Sequence, residues 1–289
     1  MKLGWVGVGK MGLPMATHLL KAGHSVAACD AVPALVAAAV ARGATAAETP
    51  ADAARDAEVV FSSLPDDGAL RTVALGAKGV FAGARPGTVF VDTSTVSPAV
   101  SAEVAKGAAA KGVKYLRVTV SGNNKMAEAA ALTVMASGEP AVYETCRALL
   151  ALFGPTQYYV GEAEQARTLK LVVNHMVYAN IGGLAEALAL GRRGGLDWGQ
   201  MIDVIGASAI GSPLLKAKSA ALKARDFTAT FTCRQARKDL GLIKDAAASS
   251  GVPAPLAALL AGFIEDCIAH GSAEEDYAAM IKSVERGAR

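Results

Sequence analysis

Three glycines near the amino terminus have the spacing of a loop that binds phosphate groups. In the stretch GWVGVGKMGLPMA, Gly7, Gly9 and Gly12 follow a short apolar run and precede a helical pattern. The first glycine of such a loop permits a tight turn, the second lets the backbone approach a pyrophosphate, and the third lets helix and strand pack closely. A chain with 30 glycines can produce this spacing by chance. The strand–loop–helix context nevertheless favours a dinucleotide site, because a helix N-terminus supplies free N–H groups and a positive dipole end.

A carboxylate at the end of the second predicted strand suits the ribose of an adenine dinucleotide. Asp30 lies about twenty residues beyond the loop, where its carboxylate can accept hydrogen bonds from a ribose diol and repel a 2′-phosphate. No arginine follows it, because the next residues are Ala31, Val32 and Pro33. The sequence therefore predicts NAD as the cofactor and favours it over NADP. A surface carboxylate that caps a turn is the alternative interpretation.

A lysine and an asparagine interrupt an apolar helical pattern in the middle of the chain. Lys170 and Asn174 lie in TLKLVVNH, at residues 168–175. Residues at this separation project from one face of a helix. A charged helix residue is usually solvated, and lysine is rarely buried without a partner. Lys170 also lies just past the point where the pattern of the chain changes, where a ligand of the first domain would meet the second domain.

The elements that would position these residues alternate in the first half of the chain. Short β-branched runs alternate with alanine-rich helical stretches, which is the pattern of a parallel sheet covered by helices. The predicted strands are 2–8, 25–30, 58–64, 88–92 and 114–120, with weaker ones at 132–136 and 157–160. The predicted helices 12–22, 33–41 and 98–110 have prolines near their starts, where helices tolerate them.

The second half is predicted to be helical throughout. One helical pattern runs from residue 162 to about 193 and ends at two glycines. Further helices are predicted at 198–207, 213–224, 230–249, 255–270 and 274–286. The predicted fold is therefore α/β. An N-terminal Rossmann-type parallel-sheet domain (1–162) would be followed by an all-α domain for substrate binding and oligomerisation (163–289), which includes the long inter-domain helix.

Composition and charge favour a protein that acts on a small molecule. The net charge of +3, with both signs interleaved, gives no electrostatic footprint for nucleic acid or an anionic membrane. No apolar run reaches the length of a bilayer, and the N-terminus has no features of a signal peptide. The four cysteines show no metal-binding spacing, so we expect reduced thiols, no metal site and a cytoplasmic location.

Several segments together resemble one enzyme family over nearly the entire chain. They are GVGKMGLPMA, the Leu64–Pro65 pair, DTSTVSP at 92–98, VSGN at 120–123, Lys170 with Asn174, and KDLGL at 238–242. Their order and separations resemble those of the β-hydroxyacid dehydrogenases, the group that contains 3-hydroxyisobutyrate dehydrogenase and tartronate semialdehyde reductase. The resemblance implies hydride transfer between NAD and a small 3-hydroxy acid or its semialdehyde.

The resemblance also implies a role for each matching residue. Lys170 would be the general acid/base, taking the hydroxyl proton in oxidation and returning it in reduction. The substrate carboxylate would meet Ser121, Gly122 and Asn123, since a hydroxyl and the exposed N–H groups of a glycine loop bind anions, and Asn174 would position the substrate. The implied cofactor contacts are Gly7, Gly9, Lys10, Met11, Gly12, Asp30, Leu64, Pro65, Thr95 and Lys238.

Some of these residues have simpler interpretations. An ordinary turn would explain the loop at 121–123, and a solvated helix position would explain Lys238, while Asp239 would only orient its helix. Ser94, Thr95 or Ser97 would serve as a helix cap ahead of Pro98.

The chain departs from the usual pattern of the family near the predicted substrate loop. Asn123 replaces a glycine, Arg-Val-Thr at 117–119 replaces the common Asp-Ala-Pro, and Val173 replaces the first of two asparagines. These changes affect the expected substrate rather than the fold. Arg117 and Lys125 would either add positive charge for a second acidic group or be solvated.

Three alternatives to this function can be compared with the sequence. An imine reductase of the same architecture would reduce C=N bonds, although that group often lacks the helix lysine. A His–Glu dyad has no support, because the four histidines match no such motif. A non-catalytic NAD-binding sensor is the third. For any of these, the small residues of AEALALGRRGG suit close helix packing, and the resemblance implies a homodimer or homotetramer.

Overall fold

The computed structural model describes residues 1–287 and divides into two compact units. Unit 1 is Met1–Lys170, and unit 2 begins at Leu171. The long helix α9 (Gln165–Arg193) starts in unit 1 and continues into unit 2. The sequence-based domain boundary at 162/163 falls in the loop before α9, whereas the compact units divide inside the helix.

Unit 1 contains one mixed sheet in the order β3-β2-β1-β4-β5-β6-β7-β8. Its strands are β1 (Lys2–Val6), β2 (Ser25–Cys29), β3 (Thr45–Ala46), β4 (Val59–Ser62), β5 (Val89–Asp92), β6 (Lys114–Ser121), β7 (Thr133–Ser137) and β8 (Thr156–Tyr159). All neighbouring strands are parallel except β6 and β7. The predicted Rossmann-type sheet is confirmed, with this antiparallel pair as a departure from parallel pairing and with β3 as a strand that was not predicted from the sequence.

Helices cover both faces of this sheet. They are α1 (Gly12–Lys21), α2 (Pro33–Val40), α3 (Pro50–Ala54), α4 (Asp67–Leu75), α5 (Val80–Gly83), α6 (Pro98–Ala110), α7 (Asn124–Glu128) and α8 (Pro140–Ala151). One apolar core includes Met15 and Leu19 of α1 with Cys146 of α8, and the other includes Leu70 of α4 with Val104 of α6. Five of these helices, α3, α4, α5, α7 and α8, were not predicted from the sequence.

The order of the strands creates the edge where a nucleotide would bind. β1 pairs with β2 on one side and with β4 on the other, so chain order reverses at β1. Ligands of open α/β sheets bind at such a switch point, outside the carboxyl ends of the strands. Trp5 anchors this edge, because its ring stacks on Phe61 at 5.1 Å while its indole N–H donates to the Gly7 carbonyl at 3.0 Å.

The described residues of unit 2 form helices and no strand, as predicted. It contains the rest of α9 with α10 (Trp198–Ala207), α11 (Pro213–Lys223), α12 (Cys233–Ser249), α13 (Pro255–Ala269), a 3₁₀ turn (Tyr277–Ala279) and α14 (Met280–Gly287). Leu171, Tyr178, Ile181 and Leu188 form the buried face of α9 in its core. No helix in the described residues is both long enough and apolar enough to cross a membrane.

The last predicted helix, 274–286, was wrong in its first turns. Asp276 lies before the 3₁₀ turn, and its side chain accepts from the Ala278 N–H at 3.0 Å and from the Lys218 ammonium at 2.6 Å. Because these contacts fix Asp276 in an extended conformation, α14 begins only at Met280.

Candidate active site

The glycine loop has the geometry that a dinucleotide loop requires. Gly7 has φ of +87°, and a Cβ there would lie 2.3 Å from the Ser63 carbonyl oxygen. A Cβ at Gly12 would lie 1.9 Å from the Gly7 carbonyl oxygen, so the start of α1 packs directly on the turn. A Cβ at Gly9 would meet no atom within 4 Å. The space over Gly9 therefore fits a pyrophosphate, whereas Gly7 and Gly12 are needed for the loop itself. Lys10 is exposed and Met11 half-buried beside it.

Asp30 is fixed just beyond β2, next to the loop. Its Oδ2 accepts from the Val8 N–H at 2.8 Å, and its Oδ1 accepts from the Val32 N–H at 2.9 Å. A carboxylate oxygen has two acceptor positions. Each oxygen of Asp30 therefore keeps capacity for a ribose hydroxyl, and the residues present fit the adenosine half of a nicotinamide dinucleotide.

The ends of β4 and β5 are joined by a buried serine. The Leu64 N–H donates to Ser94 Oγ at 2.8 Å, and the Ser94 hydroxyl donates to Asp92 Oδ1 at 2.5 Å. Pro65 is exposed and Thr95 is half-buried next to these contacts. Ser97, rather than Ser94 or Thr95, is the cap of α6, since its side chain accepts from the Val100 N–H.

Asp92 forms a buried ion pair with Arg167 in the first turns of α9. The Arg167 guanidinium donates to Asp92 Oδ2 at 2.5 Å, and both side chains are 0% exposed. It also donates to the Tyr115 hydroxyl at 2.9 Å. Burial would lower the pKa of Arg167, but the neighbouring Tyr115 and Asp92 outweigh it and raise that pKa. Burial also raises the pKa of Tyr115, so the Arg167 guanidinium stays charged and the Tyr115 hydroxyl stays neutral at neutral pH.

Lys170 lies one turn further along α9 and reaches the end of β6. Its ammonium donates to the Val120 carbonyl oxygen at 2.7 Å. Val120 is followed directly by Ser121 and Gly122, the predicted substrate loop. Lys170 and this loop are therefore neighbours within unit 1, the unit that also carries the glycine loop and Asp30.

The loop after β6 is tightly constrained. Gly122 has φ of +139°, and a Cβ there would lie 2.6 Å from a methyl group of Leu132. Asn123 caps the short helix α7, because its Oδ1 accepts from the Met126 N–H at 3.0 Å. The departure from glycine at Asn123 thus has a structural use in capping the next helix.

Arg117 has a partner inside the protein. Its Nε and Nη2 donate to Glu164 Oε1 at 2.8 and 2.5 Å, and its guanidinium lies 4.7 Å from the centroid of the Tyr115 ring. Arg117 is only 8% exposed. The sequence left two interpretations of Arg117, a solvated side chain or a contact to a second acidic group of the substrate. The structure shows neither, because Arg117 forms an ion pair with Glu164, the residue that precedes α9.

In unit 2, Asn174 belongs to a buried polar cluster centred on Asp239. Its Nδ2 donates to Asp239 Oδ2 at 2.8 Å, and the Tyr178 hydroxyl donates to the same oxygen at 3.1 Å. The Lys238 ammonium lies 3.0 Å from Asp239 Oδ1 and is 29% exposed. Burial, followed by the Asp239 charge, raises the pKa of Tyr178 well above its usual value. Asp239 therefore fixes the Asn174 amide, a larger role than the orientation of its own helix expected from the sequence.

Sequence reasoning missed the buried pair of Asp92 and Arg167, and it missed the contact between Asn174 and Asp239. Asp92 ends the apolar strand VFVD, and Arg167 interrupts the same helix as Lys170. Two features of the sequence could have indicated this pair. One is a charged residue at the end of a buried strand, and the other is a second charged residue on a mostly apolar helix, because charged residues are rarely buried without a partner. Among residues 1–287, no group of three or more His, Cys, Asp or Glu side chains is arranged to hold a metal ion.

Both parts of the chain match known dinucleotide-binding families. The model for the NAD binding domain of 6-phosphogluconate dehydrogenase matches residues 2–161. The model described as NAD-binding of NADP-dependent 3-hydroxyisobutyrate dehydrogenase matches residues 165–284. The 2-(hydroxymethyl)glutarate dehydrogenase of Eubacterium barkeri is 40% identical, over 97% of this chain and 94% of that protein. The chain belongs to the β-hydroxyacid dehydrogenase family.

Other members of the family are similar over the same length. The NAD-dependent L-serine dehydrogenase of Pseudomonas aeruginosa is 31% identical, over 97% of each chain. The structure of 3-hydroxyisobutyrate dehydrogenase from Mycobacterium tuberculosis with L-serine has a TM-score of 0.88 and 29% identity, covering 98% of both chains. The family assignment and the fold predicted from the sequence are confirmed, and with them a nicotinamide cofactor.

Proposed function

We propose that this member of the family oxidises a small 3-hydroxy acid to its semialdehyde with NAD, and that Lys170 is the general acid/base. The observation that carries the proposal is the contact of the Lys170 ammonium with the Val120 carbonyl at 2.7 Å, directly before Ser121 and Gly122. The proton-transfer group and the carboxylate-binding loop are thereby neighbours in the same unit as the nucleotide loop.

The proposed chemistry divides between the cofactor and the chain. When bound, nicotinamide supplies the hydride acceptor in oxidation and the hydride donor in reduction. Neutral Lys170 takes the proton of the substrate hydroxyl as the carbon–hydrogen bond breaks, and in reduction the ammonium returns that proton to the forming alkoxide. The Ser121 hydroxyl and the N–H groups of the loop hold the substrate carboxylate, which orients the hydroxyl toward Lys170.

The relatives support the class of substrate. The names of two relatives contain the compounds L-serine and 2-(hydroxymethyl)glutarate. Both compounds carry a hydroxymethyl group on the carbon beside a carboxylate. A loop that binds this carboxylate and a lysine that takes the hydroxyl proton suit any such compound. Because Glu164 already neutralises Arg117, a second carboxylate would have to be recognised by other residues.

The preference for NAD rests on Asp30. A ribose diol would donate to the remaining acceptor positions of its carboxylate, whereas the phosphate of NADP would be repelled by it. We expect at least a tenfold preference for NAD in kcat/KM, which corresponds to about 1.4 kcal/mol.

The cellular setting follows from the same features. We place the protein in the cytoplasm, because all four cysteines are free and buried, as in proteins of reducing compartments. Its partners would be a small carboxylate substrate and further copies of itself, rather than nucleic acid or membrane.

A panel of substrates with both cofactors tests this function. The purified protein is assayed for NADH or NADPH formation with L-serine, 3-hydroxyisobutyrate and 2-(hydroxymethyl)glutarate, and for the reverse reaction with the semialdehydes. We expect turnover of at least one 3-hydroxy acid with NAD. Turnover of a cyclic imine alone would instead support an imine reductase. NAD binding without turnover of any compound would support a sensor.

A further inference from the structure

The Arg167 side chain joins the first turns of α9 to segments that are distant in sequence. Its guanidinium donates to Asp92 Oδ2 at 2.5 Å, to the Ser94 carbonyl at 2.7 Å, to the Tyr115 hydroxyl at 2.9 Å and to Ser101 Oγ at 3.2 Å. These partners belong to β5, the loop after it, β6 and α6. Arg167 is 1% exposed, so water does not compete for these donors.

Asp92 extends the network to the segments that contain the predicted cofactor contacts Leu64, Pro65 and Thr95. Its Oδ1 accepts from the Ser62 hydroxyl at 2.6 Å and from the Ser94 hydroxyl at 2.5 Å. Since Ser94 Oγ also accepts from the Leu64 N–H, the Leu64–Pro65 turn and the DTST segment share one hydrogen-bonded cluster with the helix that carries Lys170.

Lys170 follows Arg167 by three residues, so the two side chains leave adjacent turns of the same helix. The backbone directly before Arg167 has further anchors. The Thr119 hydroxyl donates to the Ala166 carbonyl at 3.1 Å, and the Ala166 N–H donates to Ser137 Oγ at 3.1 Å. The position of the Lys170 amine along β6 is therefore set largely by the contacts one turn before it.

We propose that Arg167 is a positioning residue for Lys170, and that the Arg167–Asp92 pair fixes the distance of the lysine amine from Ser121. The inference rests on the proposed role of Lys170. Stability alone gives a weak reason for such a pair, because apolar residues of similar volume often replace a buried ion pair without loss. A guanidinium instead offers a rigid planar fork of donors, which suits the alignment of several segments at once.

Arg167→Met tests this role, with the exposed pair Arg85–Asp56 as the matched control. We expect Arg167→Met to lower kcat by about a hundredfold, the effect of moving a catalytic group by about 1 Å. Titration with NAD should show a much smaller change in Kd than in kcat, because the glycine loop and Asp30 make no contact with Arg167. Arg85→Met should alter neither quantity.

The double variant Lys170→Ala/Arg167→Met decides whether Arg167 acts through the lysine. If it does, the double variant is no slower than Lys170→Ala alone. Losses that multiply would show independent effects and overturn this inference, while the proposed function would stand. Wild-type turnover in Lys170→Ala would overturn the proposed acid/base role and this inference with it.

Arg167→Lys provides a second test if Arg167→Met fails to fold. The ammonium preserves the charge opposite Asp92 but loses the planar fork, so we expect a folded protein with a lowered melting temperature and a clearly reduced kcat. A folded Arg167→Lys variant with wild-type kcat would overturn the positioning role.

Discussion

At the scale of single residues, Lys170 and Asn174 share one helix but have partners of different kinds. Lys170 contacts a backbone carbonyl at the end of β6. Asn174, 8% exposed, binds the carboxylate of Asp239, itself 2% exposed. Removal of each side chain should consequently affect different properties of the protein.

Asn174→Ala should reduce both stability and substrate binding. The substitution removes a donor from a buried carboxylate, which costs about 1–3 kcal/mol, and it removes the amide expected to position the substrate. We expect a lower melting temperature of the variant, with a raised KM or a small loss in kcat. Asn180→Ala is the matched control, because Asn180 donates to the Met176 carbonyl of its own helix. Unchanged stability of Asn174→Ala would contradict the importance of the Asp239 contact.

Residues that form a motif with their sequence neighbours could be predicted from the sequence. Residues that depend on partners far away in the sequence were missed. Gly7, Gly9 and Gly12 are recognisable because a strand, a turn and a helix follow one another within a few residues. Arg167 and Asp92 are 75 residues apart, so only the folded sheet brings them together. Arg117 and Glu164 are separated by 47 residues and could not be paired from the sequence for the same reason.

At the scale of elements, different glycines of the loop between β1 and α1 serve folding and cofactor binding. Gly9→Ala should fold normally, because its Cβ meets no atom within 4 Å, yet it should lose NAD affinity because the methyl group occupies the approach to the backbone. Gly12→Ala should lose stability as well, since its Cβ would lie 1.9 Å from a backbone oxygen. The melting temperatures of the two variants, measured with and without NAD, distinguish a loss of stability from a loss of NAD affinity. Equal melting temperatures for both variants would contradict the loop geometry.

The C-terminal helix α14 provides a prediction about pH. Glu285 accepts from Arg225 at 2.6 Å and from Arg192 at 3.0 Å. Hydrogen bonding to Arg225, foremost, lowers the pKa of Glu285. Its contribution to stability is therefore present above the unfolded-state value of about 4.3 and is lost as pH falls through the lower folded-state pKa.

Urea unfolding of Glu285→Gln measures this contribution. We expect a loss of about 0.5–1 kcal/mol at neutral pH, since the pair is partly exposed, and a smaller difference from wild type near about pH 3. Glu265→Gln is the control, because its Arg237 partner is 3.9 Å away and both are exposed. A difference that does not shrink in acid would exclude the ion pairs as its cause.

Strands and long helices were predicted more accurately than short helices. The predicted helices 98–110 and 198–207 agree with α6 and α10 at both ends, since each has a capping residue directly before it. The short helices α3, α5 and α7 have at most five residues and show too few turns for a periodic pattern. Asp276 delayed the start of α14 through side-chain contacts that no local pattern reveals.

At the scale of the whole molecule, unit 2 leaves an apolar stripe exposed on α9. Val172, Met176 and Leu190 are 55%, 58% and 76% exposed. The three side chains project from one face of the helix, and large exposed apolar patches mark interaction surfaces. We propose that a second copy of the chain covers this face.

Light scattering of the purified protein should give the mass of a dimer or tetramer. Leu190→Glu should shift the protein toward monomer, because a carboxylate would be buried without a partner in the interface. Val40→Glu, at an exposed position of α2 in unit 1, should leave the mass unchanged. A monomeric mass for the wild-type protein well above assay concentration would contradict the proposed assembly.

The kcat of Lys170→Ala, measured on the best substrate together with NAD affinity, tests the account most directly. If Lys170 transfers the proton, kcat should fall by about a hundred- to ten-thousandfold, or about 3–5 kcal/mol of barrier, while the melting temperature and the Kd for NAD stay near those of wild type. Lys170→Arg should not restore the rate, because a guanidinium stays protonated and cannot accept the hydroxyl proton. A folded, NAD-binding Lys170→Ala variant with wild-type kcat would contradict the central claim.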